Sequence, residues 1–207
     1  MILYRPVGLN ELQLVYESGL AAFPPRLPEQ PIIYPVLNAE YAAQIARDWN
    51  TKSMRAAGYV TRFEVDDAFA KRYEVHQVGA RQHVELWVPA DELAEFNRHI
   101  VPPIRVTEAY FGDGFEGLVP TNFMLAGKNA VEQFVALDQI LAYSGFDFIC
   151  EVAANHVAVF LHYAFWAQRD FSPEGVLPER RDRVVAAVAT RWKEGFADRP
   201  LPELHDH

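Results

Sequence analysis

The chain has 207 residues, half of them hydrophobic and under a quarter charged, a globular composition with ample length for a core. Acidic residues outnumber basic ones by 28 to 19, and the formal net charge of −9 repels phosphate backbones, so nucleic acid is not an expected bulk partner. The one cysteine, Cys150, excludes an internal disulfide and fits a reducing cytoplasm, and the opening Met1-Ile2-Leu3-Tyr4-Arg5-Pro6 lacks the basic start and long apolar run of a signal peptide.

Ile2 to Val7 reads as a first strand ended near Pro6. Asn10 is the expected cap of a helix carrying Leu12, Leu14 and Val15, with Gly19 as its stop. Phe23 to Pro35 holds Pro24, Pro25, Pro28, Pro31 and Pro35, which predicts a stiff extended loop bearing Arg26 and Tyr34. Asn38 caps a helix from Ala39 to about Trp49. Gly58 to Val65 is rich in β-formers and predicts a strand containing Tyr59 and Thr61. Asp66-Asp67 starts one helical turn, and Tyr73 to Val78 forms a further strand.

Gln82 to Pro89 then alternates strictly. His83, Glu85 and Trp87 fall on one side, while Val84, Leu86 and Val88 fall on the other. The pattern puts one carboxylate, Glu85, between a histidine and a tryptophan on the face away from the aliphatic residues. A short acidic helix with Leu93 and Phe96 follows, then a strand from Ile104 to Phe111. Beyond Gly117 helical spacing takes over: Lys128 to about Tyr143 with Gly145 as a stop, Phe146 to about Gln168, and Pro178 to about Phe196. The second of these is apolar, but Asp147, Glu151, Asn155, His156 and His162 interrupt it, which argues against a membrane span. The tail from Pro200, with His205 and His207, is expected to be loose. The organisation is thus an α+β part, residues 1–117, and a helical part, residues 118–207, with a mixed, mostly antiparallel sheet.

Chemistry concentrates at few positions. Arg5 and Glu85, on different strands, would suit a phosphorylated nucleotide, with guanidinium on phosphate and carboxylate at a sugar. A surface placement, or a structural ion pair, is the competing explanation of the same residues. His76, His83 and His99 lack metal-ligand spacing, so no metal is expected. Gly112-Asp113-Gly114 is no phosphate loop, and Cys150 reads as a buried thiol. Phe160, Tyr163, Phe165 and Trp166 read as core.

Several segments are similar to bacterial proteins labelled the ADP-ribosylation/crystallin family: Leu3 to Gly8, Phe23 to Pro28, Arg47 to Thr51, Tyr59 to Phe63, Glu85 to Pro89 and Tyr143 to Phe148. The label spans two chemistries. The helical glycohydrolases with acidic magnesium clusters do not match this strand-rich first part, which resembles ADP-ribosyltransferases instead. That resemblance implies an ADP-ribosyltransferase-like sheet and NAD as co-substrate. It implies cleavage of the nicotinamide N-glycosidic bond and transfer of ADP-ribose to an unknown macromolecular acceptor. Arg5 matches the first-strand residue that grips NAD, with Arg26 as a second phosphate holder. Glu85 matches the late-strand catalytic glutamate, and His83 stands two residues before it as the second catalytic candidate. Thr61, or else Tyr59, matches the middle-strand position, and Tyr34 or Trp87 would stack on nicotinamide. A non-enzymatic binding module on the same scaffold is the alternative.

Overall fold

The computed structural model describes residues 1–80 and 83–204; Gln82, at the head of the alternating stretch, and the tail histidines His205 and His207 lie outside them. The chain is α+β and divides into two compact units, residues 1–112 and 113–207.

The first unit is built on strands β1 (Ile2–Gly8), β3 (Ala57–Val65) and β7 (Ile100–Phe111), antiparallel in the order β1-β3-β7. Short pairs accompany them: β2 (Ile32–Ile33) with β6 (Val88–Pro89), and β4 (Val75–Gln77) with β5 (Val84–Leu86), both antiparallel. Val36 joins these groups, bridging Tyr4 on one side and Glu85 on the other. Directly paired residues share a face of a sheet. A single cross-strand row therefore runs Arg105, Arg62, Tyr4, Val36, Glu85, His76.

Pro6 does not end β1. In this register the alternate residue Tyr4 bonds toward Val36, so Pro6's missing N–H falls on the side where β1 has only that one bridge and costs no ladder bond to β3. The helix α1 (Leu9–Glu17) begins right after Gly8, which caps it without a side-chain bond, so Asn10 is inside the helix and not its cap. Burial of Leu9 accounts for the early start. The side of the sheet carrying Leu3, Arg5 and Val7 packs toward α1 and the aromatic rings of Phe23, Phe63 and Phe96. The helix α2 (Ala39–Asp48) covers the other side, with Ala42, Ala43 and Ala46 against Val36 and Val60. Gly58 permits this approach: a Cβ there would sit 2.1 Å from the Ala46 carbonyl oxygen. Asn38 caps α2 through Tyr41 N–H, and Asp66 caps the single turn α3 (Asp67–Ala70), as their sequence positions lead one to expect. The short helix α4 (Leu93–Arg98) buries Leu93 and Phe96.

The second unit is helical. Helix α5 (Ala130–Tyr143) opens at a reciprocal cap between Asn129 and Glu132. Gly145 does not stop a helix; it opens α6 (Gly145–Ala154), which Ser144 caps. The single long helix expected over Phe146 to Gln168 is two, α6 and α7 (His156–Gln168), bent by 105° at Asn155. The cause is local. Asn155 leaves helical geometry (φ −109°, ψ 26°), and its side-chain amide donates back to the Glu151 carbonyl oxygen and carboxylate. The other carboxylate oxygen of Glu151 accepts from Met124 N–H. Among the described residues no single helix is long and apolar enough to cross a membrane. Helix α8 (Pro178–Gly195) adds Val184, Val188 and Trp192 to a core holding Phe160, Phe165 and Trp166. Cys150, expected to be buried, is half-exposed.

Candidate functional site

Glu85 is the residue around which polar and aromatic groups gather. It is 8% exposed, and one carboxylate oxygen accepts a 2.8 Å hydrogen bond from the indole N–H of Trp87. The one strand expected over Gln82 to Pro89 is broken at Trp87, which lies between β5 and β6 and bonds back to Glu85 two residues before it. His76, opposite Glu85 in the β4–β5 pair, stacks on Trp87 with ring centres 4.1 Å apart. Tyr34 meets Trp87 edge-on at 6.0 Å. Trp87 and Tyr34 each keep about two fifths of their surface in solvent, so their apolar rings are open to a ligand.

The N-terminal part of α2 lies beside this group. Burial, and after it the Glu85 carboxylate, raise the Tyr41 phenol above its usual range. Tyr41 also stacks on His83, 4.2 Å between ring centres, and His83 Nε2 lies 3.3 Å from Gln44 Oε1. Tyr41, Gln44 and Arg47, three residues apart along the helix, line a depression of about 390 Å³ with Glu40 and Glu108. A guanidinium thus lies further along the helix, though the carboxylate of Asp48 already holds it.

Arg5 does not join Glu85. Tyr4 shares the cross-strand row with Glu85, so the next residue, Arg5, points to the opposite face. There it is 7% exposed and donates through Nε to Glu11 at 2.7 Å, with its guanidinium carbon 5.9 Å from the Phe23 ring centre. Burial, and after it the Arg5 charge, lower the Arg26 pKa. Thr61 and Tyr59 are fully buried on β3, on the Arg5 side of the sheet. The Thr61 hydroxyl donates to the Arg5 carbonyl oxygen at 2.8 Å, and burial pushes the Tyr59 phenol far up. These two stiffen the central strand and present nothing to a ligand.

The expected set therefore separates into three groups: Tyr34, Trp87 and Glu85 together, with His83 alongside through Tyr41; Arg5 with Arg26; and Tyr59 with Thr61 in the core. Tyr41, Gln44 and Glu11 escaped the sequence reading. The first two carry a weak signal, a polar i, i+3 pair on an otherwise alanine-lined helix. Among the described residues no group of three His, Cys, Asp or Glu side chains is placed to hold a metal. Comparison with models of known families, with curated proteins and with solved structures finds no match for this chain.

Proposed function

We propose that residues 1–112 bind an NAD-type dinucleotide on the Glu85 face and act as an ADP-ribosyltransferase-like enzyme. The carrying observation is the buried Glu85 carboxylate, oriented by the Trp87 indole, beside two half-open aromatic rings. A planar base needs a stacking surface, and ribose hydroxyls need a fixed acceptor; this group supplies both. In this reading nicotinamide lies on Trp87 and Tyr34, and Glu85 accepts from a hydroxyl of the attached ribose. As the C1′–N bond breaks, nicotinamide leaves with the electron pair. The ribose becomes oxocarbenium-like, and the nearby carboxylate stabilises that positive charge until a nucleophile of the acceptor adds at C1′. His83 stands ready to take the nucleophile's proton, and the rest of the dinucleotide extends along the depression of α2 toward Arg47.

Calorimetric titration of NAD into the protein, paired with an assay of nicotinamide release, tests this. Trp87→Ala is expected to weaken NAD binding by about tenfold or more, the loss of one stacked base. Glu85→Gln is expected to bind NAD within a few-fold of wild type and release no nicotinamide. Wild-type protein that neither binds nor cleaves NAD sinks the proposal.

A second reading is a binding module without transfer. The observation favouring it is the placement of Arg5 on the far face, so that this buried arginine and the carboxylate cannot act on one substrate as a pair. It gives NAD binding in the same titration but no nicotinamide from any variant.

A further inference from the structure

The second unit carries a cavity that the Glu85 group does not use. It lies between α7, α8 and the segment that follows α8, and holds about 410 Å³. Its walls are mostly apolar, with Ala189, Trp192, Phe196 and Leu201 among them. The wall made by the last segment is fixed. The Trp192 indole N–H donates to the Arg199 carbonyl oxygen at 2.5 Å, and Arg199 N–H donates to the Phe196 carbonyl oxygen at 3.0 Å. These bonds turn the chain back on α8, and Pro202, in the stretch expected to be loose, is buried. The cavity is thus already shaped, with the size and apolar character usual for small-molecule sites.

Two polar groups interrupt the apolar lining. Tyr163, on α7, is 6% exposed, and a buried tyrosine hydroxyl ordinarily finds a hydrogen-bond partner. Among the described residues this one has none. The atom is not shut away from solvent either, and the cavity is the opening that its side chain lines. Lys193, in the last turn of α8, lines the same cavity and has no ion-pair partner among the described residues. The carboxylates near it in sequence are engaged elsewhere, Glu194 with Arg191 and Asp198 with Arg199.

A cation in the last turn of a helix is favourable by itself, so Lys193 alone needs no ligand. That account leaves the unanswered phenol unexplained. Together the two groups offer an ammonium and a hydroxyl donor to the two oxygens of a carboxylate, while the walls take an apolar body.

We propose that this cavity binds a small monocarboxylate with an apolar body. The body rests against Trp192, Phe196 and Leu201, and Lys193 and the Tyr163 hydroxyl take the carboxylate. An acyl chain and an aromatic ring offer these groups the same chemistry.

The test is calorimetric titration of the full chain with octanoate and with 2-naphthoate, against octanol and acetate as controls. Wild-type protein is expected to bind at least one of the two apolar carboxylates saturably, about tenfold or more tightly than octanol, and to give no binding of acetate. Whichever carboxylate binds more tightly identifies the body as a chain or a ring. Lys193→Gln, a change at an exposed position, is expected to weaken binding about tenfold and to remove the preference over octanol. Tyr163→Phe keeps the ring and should weaken binding by less. Ala189→Phe fills the cavity from α8 and should abolish binding in a protein whose circular dichroism is unchanged. Glu85→Gln is expected to keep the wild-type affinity, which separates this result from the fate of the NAD proposal. No saturable binding of either carboxylate, equal affinity for octanol, or unchanged affinity in both Lys193→Gln and Ala189→Phe overturns the site.

Discussion

At the scale of single residues, the clearest chemistry outside the Glu85 group belongs to His162. It is fully buried, and its Nε2 accepts a 2.8 Å bond from Leu118 N–H, so Nδ1 carries the proton and donates to Gln133 Oε1 at 3.1 Å. The Gln133 amide then donates to the carbonyl oxygens of Leu118 and Lys128. This network ties the segment before α5 to the helical core, and it works only with a neutral imidazole. Burial accordingly pushes the His162 pKa down to about 3. Between its ordinary value of about 6.5 and that value, the unfolded chain binds a proton that the folded chain refuses. Stability should therefore hold steady above pH 6.5 and fall below it, by about 1.4 kcal/mol per pH unit from this group. Urea unfolding across this range checks the slope, and His162→Gln should flatten it. Gly117 belongs to the same contact: its φ is +75°, and a Cβ would stand 2.2 Å from His162 Nε2. Gly117→Ala is expected to cost about 2–5 kcal/mol, combining left-handed strain with overpacking.

Among the elements, α2 matters most because it joins core and site. One end rests on Gly58 through the Ala46 backbone, and the other carries Tyr41 beside Glu85. Gly58→Ala must lift the helix from the sheet, at a cost of about 1–3 kcal/mol. It should also weaken NAD binding, because Tyr41 and Gln44 move with the helix. An unchanged NAD affinity in a measurably destabilised Gly58→Ala protein would dissociate α2 from the site. The elements also show where the sequence was legible. The alternation from His83 to Val88 placed Glu85 and Trp87 on one face, and the structure bonds them. The spacing of Phe146 to Gln168 predicts one helix because its apolar residues continue past Asn155 with no glycine or proline to stop them. The bend at Asn155 depends on Glu151 and Met124, contacts that no local pattern announces.

For the whole molecule, the two units each carry their own core, residues 1–112 around the sheet and 113–207 around the helices. Destabilising the second unit through Gly117→Ala should raise hydrogen exchange in residues 113–207. The NAD response of residues 1–112 should persist in the same protein. A loss of both together would show that the units fold as one.

Local chemistry is enough to announce much of this chain. Period-two and helical spacing gave the α+β class, the prolines gave the loop from Phe23 as far as β2, the caps at Asn38 and Asp66 gave two helix starts, and Glu85 with Trp87 gave the heart of the candidate site. All of these rest on residues near one another in sequence, where backbone geometry alone sets direction. The placement of Arg5 opposite Glu85 was decided only by tertiary structure. It follows from Val36 pairing with Tyr4 rather than with its neighbour, and a shift of one residue in that register would turn Arg5 to the other face. The burial of Tyr59 and Thr61, the Arg5–Glu11 ion pair and the His162 network have the same origin. Each depends on which distant segments pack together, and packing selects among registers and helix ends that the local sequence leaves equally open.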